Sequence, residues 1–184
     1  MRFEYIALFK PYGVVCRFSG EGKTLKDFVP VAGVYPVGRL DKDSEGLVLL
    51  TNDGAWQHRV SHPKFEHEKT YWAQVEGVPS EEALDRLRRG MAVRDYVTRP
   101  AAARKLEDAP RLAPRDPPIR YRAAIPDSWI EIKLHEGRNR QVRHMLAAVG
   151  HPVLRLVRVA IGDLRLGELR PGEWRRVRRG ETLR

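Results

Sequence analysis

Cysteine is almost missing from this chain: Cys16 is the only one among 184 residues. That excludes an internal disulfide, a thiolate zinc site and a CxxC redox pair. No apolar run approaches the roughly 18 residues that a membrane-crossing helix requires. The opening MRFEYIALFK has neither the apolar core nor the cleavage site of a secretory signal. These absences lead us to expect a protein of the reducing cytoplasm with no membrane partner. Lysine is scarce as well, with 8 residues against 26 arginines. Arginine is the flat, multi-donor cation that grips phosphates and stacks on bases.

Lys and Arg together number 34 against 24 Asp and Glu, a net charge of +10, while 42% of residues are hydrophobic. The chain is basic yet able to bury a core, so it is not a disordered tail. Polyanions are the expected partners, nucleic acid first. The charge is uneven. Residues 138–184 hold 12 Arg against Asp163, Glu168, Glu173 and Glu181, net +8, leaving +2 for the first 137 residues. The length suits one domain or two small lobes sharing a core, and no internal repeat or low-complexity tail is visible.

Short apolar runs from Phe3 to Cys16 are broken by Lys10-Pro11-Tyr12-Gly13, and Leu47–Thr51 is a compact run bounded by Gly46 and the turn-like Asn52-Asp53-Gly54. Both read as strands, the second buried. Tyr71, Ala73 and Val75 alternate with polar neighbours, as do Ile130, Ile132 and Leu134, which predicts two half-buried strands. Ser80-Glu81-Glu82 opens a helix that Gly90 closes. Val142, Met145, Leu146 and Val149 follow helical spacing, which predicts an amphipathic helix near 139–149 stopped by Gly150. Residues 107–118, rich in proline and charge, read as an irregular surface excursion. The order implies an α+β fold with a mixed, mainly antiparallel central sheet and flanking helices.

The densest polar cluster, Gly38-Arg39-Leu40-Asp41-Lys42-Asp43-Ser44-Glu45-Gly46, stands directly before a buried strand, where functional loops are seated. Its acid spacing imitates the opening of a calcium-binding EF loop. The twelfth position is Asn52 instead of a bidentate Glu, and the flanks are strands, so that reading fails. A solvated charged turn is the plain alternative. Two further segments speak against plainness: Glu136–Arg143, a donor-rich loop running into a helix, and Lys69-Thr70-Tyr71, which puts a phenol on a strand. His135, His144 and His151 lack ligand spacing on one element, and no metal is expected.

KPYGVVC (10–16), YPVGRLDKDSEGLVLLTNDG (35–54), HEKTYWAQVEG (67–77) and EGRNRQVRHMLAAVGHPVLRLVRVAIGDLRLGELRPGEWR (136–175) resemble the pseudouridine synthases of the small-subunit ribosomal RNA family. The match is ordered, spans residues 9–175 and includes GRLD, the motif of the family's catalytic aspartate. Phe9 stands where the family often has Asn, and His144 where it usually has Arg. Members often carry an N-terminal S4 RNA-binding domain. The KP motif starting at Lys10 leads us to expect none, and so a single catalytic domain over 1–184 nearest the branch that acts on large-subunit rRNA.

The resemblance implies a cofactor-free isomerisation that breaks the N1–C1′ bond of a uridine and rejoins the base through C5. It assigns the reacting carboxylate to Asp41, as nucleophile or as the base of a glycal route, and its charge partner to Arg143. Tyr71 would pack on the uracil and move a proton; from pattern alone it is equally a core tyrosine. Arg39 would fill the space of an extruded base or hold its neighbouring phosphate. Lys10 at the cleft edge, Arg138 and Arg140 are backbone-contacting candidates. The expected working form is a cytoplasmic monomer on ribosomal RNA. Two other classes stay open: a non-catalytic rRNA-binding or ribosome-assembly module, which the basicity fits equally, and a glycosidase pairing Asp41 with Asp43 or Glu45.

Overall fold

The computed structural model describes residues 2–119 and 125–181. In chain order it contains β1 (Tyr5–Lys10), β2 (Tyr35–Val37), β3 (Glu45–Thr51), α1 (Gly54–Ser61), β4 (Lys69–Glu76), α2 (Glu81–Arg89), β5 (Ala92–Val93), β6 (Tyr96–Val97), β7 (Ala102–Lys105), β8 (Asp127–Leu134), α3 (Gln141–Ala148), β9 (Val153–Ile161), β10 (Leu164–Arg165) and β11 (Trp174–Arg176). Strand pairing is mixed and mostly antiparallel, an α+β fold as expected. The chain forms two compact units, Met1–His67 with Val157–Arg184, and Glu68–Leu156.

In the first unit β1 lies antiparallel between β3 and β11, and β2 also pairs antiparallel with β3. All seven residues of β3 are buried, which explains why it reads as an unbroken apolar run rather than an alternating one. β3 joins β9 in parallel, with Glu45 opposite Val157 and Gly46 opposite Arg158. That pairing needs a residue without a side chain. A Cβ on Gly46 would lie 2.7 Å from the Arg158 nitrogen and nearer still to its carbonyl oxygen, and Gly46 has φ 105°.

Helix α1 occupies a stretch whose opening residues read in sequence as a turn. Asp53 is its N-cap and accepts the Trp56 amide at 3.0 Å. Trp56 is buried against the edge of the Tyr5 ring, with centroids 5.0 Å apart, and its indole donates to the Arg179 carbonyl at 3.0 Å. The Tyr5 hydroxyl donates to the other Asp53 oxygen at 2.7 Å. That bond, with the cap itself, holds the Asp53 carboxyl below its ordinary pKa. The helix is set by this tertiary knot rather than by an apolar stripe.

In the second unit β4 and β8 pair over eight residues, from Lys69 opposite Leu134 to Glu76 opposite Asp127, and β7 lies on the far side of β8. Tyr71, Ala73, Val75, Ile130, Ile132 and Leu134 are buried, as their alternation requires. Ser80 caps α2 and Gly90 ends it at φ 83°, both as the punctuation predicts. Arg88 on that helix donates to the Ala103 carbonyl at 2.9 Å and so ties it to β7. The stretch 107–118 is irregular and is fastened at two points: Arg155 donates to the Ala113 carbonyl at 2.9 Å and Arg115 to the Leu154 carbonyl at 3.4 Å.

Gly46→Ala is expected to lower unfolding free energy by roughly 3 kcal/mol, since strain at positive φ and overpacking against backbone combine. Gly54→Ala, where the new Cβ meets only the Tyr35 hydroxyl at 3.4 Å, should be neutral. Urea unfolding midpoints of the two variants check the contrast.

Candidate active site

The loop 38–44 hangs between β2 and β3 on buried anchors. Leu40 is buried on one side of Asp41, and Ser44 and Glu45, each 1% exposed, on the other. Asp41 itself is half-buried and Arg39 is exposed. The Ser44 amide donates to the Asp41 carbonyl at 3.1 Å, closing a turn, and the Gly13 amide donates to the Lys42 carbonyl at 2.8 Å. The GRLD loop is thereby pinned to the KPYG turn, two motifs far apart in sequence. These bonds hold the main chain of the loop that carries Asp41, which limits the backbone reorganisation needed to present its side chain.

Lys10 departs from the expectation. Instead of lying at a cleft edge it is fully buried, and its Nζ donates to the Val14 carbonyl at 2.8 Å and the Pro11 carbonyl at 3.0 Å. Burial pushes its pKa down to about 8, against the upward pull of Cys16, Glu45, Asp43 and Asp41. It cannot offer an exposed charge to an RNA backbone from there. Its ammonium is instead the internal counter-charge of the acidic loop, a role that sequence reasoning missed because a lysine beside Pro and Gly reads as surface.

A second buried cation sits behind the same loop. Arg158, almost wholly buried on β9, donates through Nε to the Leu47 carbonyl at 2.8 Å. This bond and the Gly46 contact fix the first residues of β3, three to six positions beyond Asp43 and Asp41.

In the second unit Tyr71 is buried on β4, opposite Ile132 of β8. Arg143 lies half-buried on α3, with Nη1 donating to the Val153 carbonyl at 3.5 Å. The helix begins at Gln141, two residues later than its periodicity predicts, because Arg140 takes the left-handed conformation at the N-cap, with φ 52°. Gln141 is buried and accepts the Arg138 amide at 3.0 Å while its own amide donates to Glu136, so the entry loop is closed on itself. Arg138 is exposed and Arg140 half-buried. His151 bonds the Glu76 carbonyl at 2.8 Å and His135 lies 3.7 Å from Glu68, structural contacts for both. Among the described residues no group of three or more His, Cys, Asp or Glu converges as a metal site would.

The basic run 175–179 is largely engaged within the first unit. Arg175 pairs with Glu181 at 3.3 Å, Arg176 with Glu4 at 2.9 Å, and Arg179 with Asp53 at 3.6 Å.

A family model described as RNA pseudouridylate synthase matches residues 4–148. The chain belongs to the RNA pseudouridylate synthase family. It is 56% identical, over 90% of both chains, to the ribosomal large subunit pseudouridine synthase E of Xanthomonas axonopodis pv. citri. It is 39% identical to the ribosomal large subunit pseudouridine synthase B of Bacillus subtilis, over 98% of this chain and 70% of that one. A crystal structure of a pseudouridylate synthase superposes with a TM-score of 0.82 at 33% identity, over 98% of this chain and 73% of that one. The human RNA pseudouridylate synthase domain containing 1, at 16% identity and a TM-score of 0.57, shares the fold. Among the described residues no helix is long and apolar enough to cross a membrane.

Lys10 generates a pH test. Its pKa falls from the ordinary 10.5 to about 8, so between those values the unfolded chain holds more protons than the folded one and stability rises with pH. The unchanged chain should therefore gain about 2 kcal/mol of stability relative to Lys10→Met from pH 7 to pH 10. Denaturant titrations at the two pH values measure it, and a constant difference would remove the buried ammonium.

Proposed function

We propose that this protein converts a uridine of large-subunit ribosomal RNA to pseudouridine, with Asp41 as the reacting carboxylate. The observation that carries the reading is the 56% identity, along nine-tenths of both chains, with a ribosomal large subunit pseudouridine synthase E. Half-buried Asp41, in a GRLD loop whose main chain is pinned, supports it chemically.

In the proposed reaction the N1–C1′ bond breaks, the uracil turns, and a C5–C1′ bond forms. The C5 proton leaves and N1 takes one up, so nothing is oxidised and no water is consumed. Asp41 attacks C1′ or removes a sugar proton. Tyr71 packs on the uracil and takes part in the closing proton transfer, and Arg143 supplies the guanidinium that a carboxylate working in a dry site requires. Arg39, exposed beside Asp41, fills the place of the extruded base or holds its phosphate. Arg138 and Arg140 contact the RNA. The enzyme acts as a cytoplasmic monomer.

Asp41→Asn keeps size and hydrogen bonding while removing the charge. The expected outcome is a folded protein that binds unmodified 23S rRNA as before and forms no detectable pseudouridine. Carbodiimide-dependent reverse-transcription stops read the product, and turnover by the Asp41→Asn variant, verified free of deamidation, would overturn the assignment. Tyr71→Phe should lose turnover by about 100-fold or more if its hydroxyl moves the proton. Near-normal turnover would leave Tyr71 a packing role.

A further inference from the structure

Three non-glycine residues among those described have positive φ, and two of them are arginines of the second unit: Arg94 at 55° and Arg140 at 52°. Glycine or asparagine would hold either position at lower conformational cost. Arg94 forms, with Asp95, the two-residue turn between β5 and β6. This hairpin is closed at its base, where the Thr98 amide donates to the Met91 carbonyl at 2.9 Å and the Met91 amide to the Thr98 hydroxyl at 3.0 Å.

The hairpin meets the loop that enters α3. Helix α3 packs on β5, and the Arg99 amide donates to Glu136 at 2.9 Å. The Arg138 guanidinium lies over the Tyr96 ring, 4.4 Å from its centroid. Tyr96 thus backs one face of that guanidinium, while the Arg138 side chain as a whole remains 57% exposed. Glu136 is taken up by the Arg99 amide and by Gln141, and stands 4.0 Å from Arg138 Nε, the outer limit of an ion pair. Arg94, in the hairpin turn, and Arg99, just after β6, are exposed. A flat cation held on an aromatic ring with its outer side open is the geometry that stacks an unpaired base, and further arginines on the same hairpin and loop suit the adjoining phosphates.

We propose that hairpin β5–β6 and loop 136–140 form an RNA contact. Arg138, backed by Tyr96, stacks on an unpaired base of the substrate RNA, and Arg94, Arg99 and Arg140 take the neighbouring phosphodiesters. This rests on the proposed RNA substrate.

The test uses the full chain and filter binding of an unmodified 23S rRNA transcript over a series of salt concentrations. Arg94→Gly relieves the turn, so its melting temperature should equal or exceed that of the unchanged chain while the log–log salt slope falls by about 0.7–0.9. Arg138→Ala should weaken binding by roughly tenfold, and Arg138→Lys should keep the salt slope without recovering that affinity. Unchanged slope in Arg94→Gly, or full affinity in Arg138→Lys, overturns the proposal. Pseudouridine formation by the unchanged chain is read on the same transcript. If it is absent while the variants weaken binding, the substrate reading falls and the contact stands. If it is present while the variants bind normally, only the contact falls.

Discussion

The approach of Gly46 to the backbone of Arg158 is the constraint on which the first unit of this protein rests. β3 and β9 run parallel there, so close that any side chain at residue 46 would enter the Arg158 peptide. Because β3 starts at Glu45, this contact places the end of the GRLD loop by main chain alone. The Gly13–Lys42 hydrogen bond then fixes the loop's middle, and the Arg158–Leu47 bond fixes the strand behind it. Side-chain rotamers are free to change without moving the Asp41 backbone, which separates the accuracy of the site from the identity of its exposed residues.

Fastening an acidic loop in this way concentrates negative charge, since Asp41, Asp43 and Glu45 fall within five residues. Three carboxylates so close in sequence repel one another. The buried ammonium of Lys10 answers that problem from below, at a desolvation cost visible in its depressed pKa. The acids therefore divide their labour. Glu45, 1% exposed at the head of β3, belongs to the interior, whereas Asp41 is only half-buried. A paired-carboxylate glycosidase would need a second acid as accessible as the first. The burial of Glu45 argues against the Asp41–Glu45 pair, while Asp43 is half-buried like Asp41.

The alternating strands β4 and β8, the punctuated helix α2 and the all-apolar β3 were legible because their signals are local: period, cap and composition. The GRLD and KTY segments were legible as motifs. What sequence concealed is non-local. Helix α1 depends on Tyr5 and Arg179, respectively 49 residues before its first residue and 118 after its last. Lys10, Arg155 and Arg158 are interior cations, each bonded to main-chain carbonyls, and pattern reasoning assigns cations to solvent. The late start of α3 follows from a left-handed Arg140, a conformation that no periodicity reveals.

Net charge in sequence and charge available in space differ for the same reason. Residues 138–184 carry +8, which read naively implies a broad phosphate-binding tail. In the structure Arg175, Arg176 and Arg179 pair with Glu181, Glu4 and Asp53, and the acid partners of the last two come from the opposite end of the chain. Glu181 also accepts the Arg178 amide, the largest of the influences that lower its pKa, so it serves the tail's own geometry first. Arg155 and Arg158 are interior. The run therefore helps to close the first unit through Trp56 and Asp53, and its arginines present less uncompensated charge than their number suggests. An arginine without a nearby carboxylate, or with its guanidinium braced on a ring as Arg138 is on Tyr96, contributes more to an RNA surface than several that are already paired. Affinity for a polyanion should then depend on a few placed guanidiniums, and counting arginines along the chain overstates the phosphates it can hold.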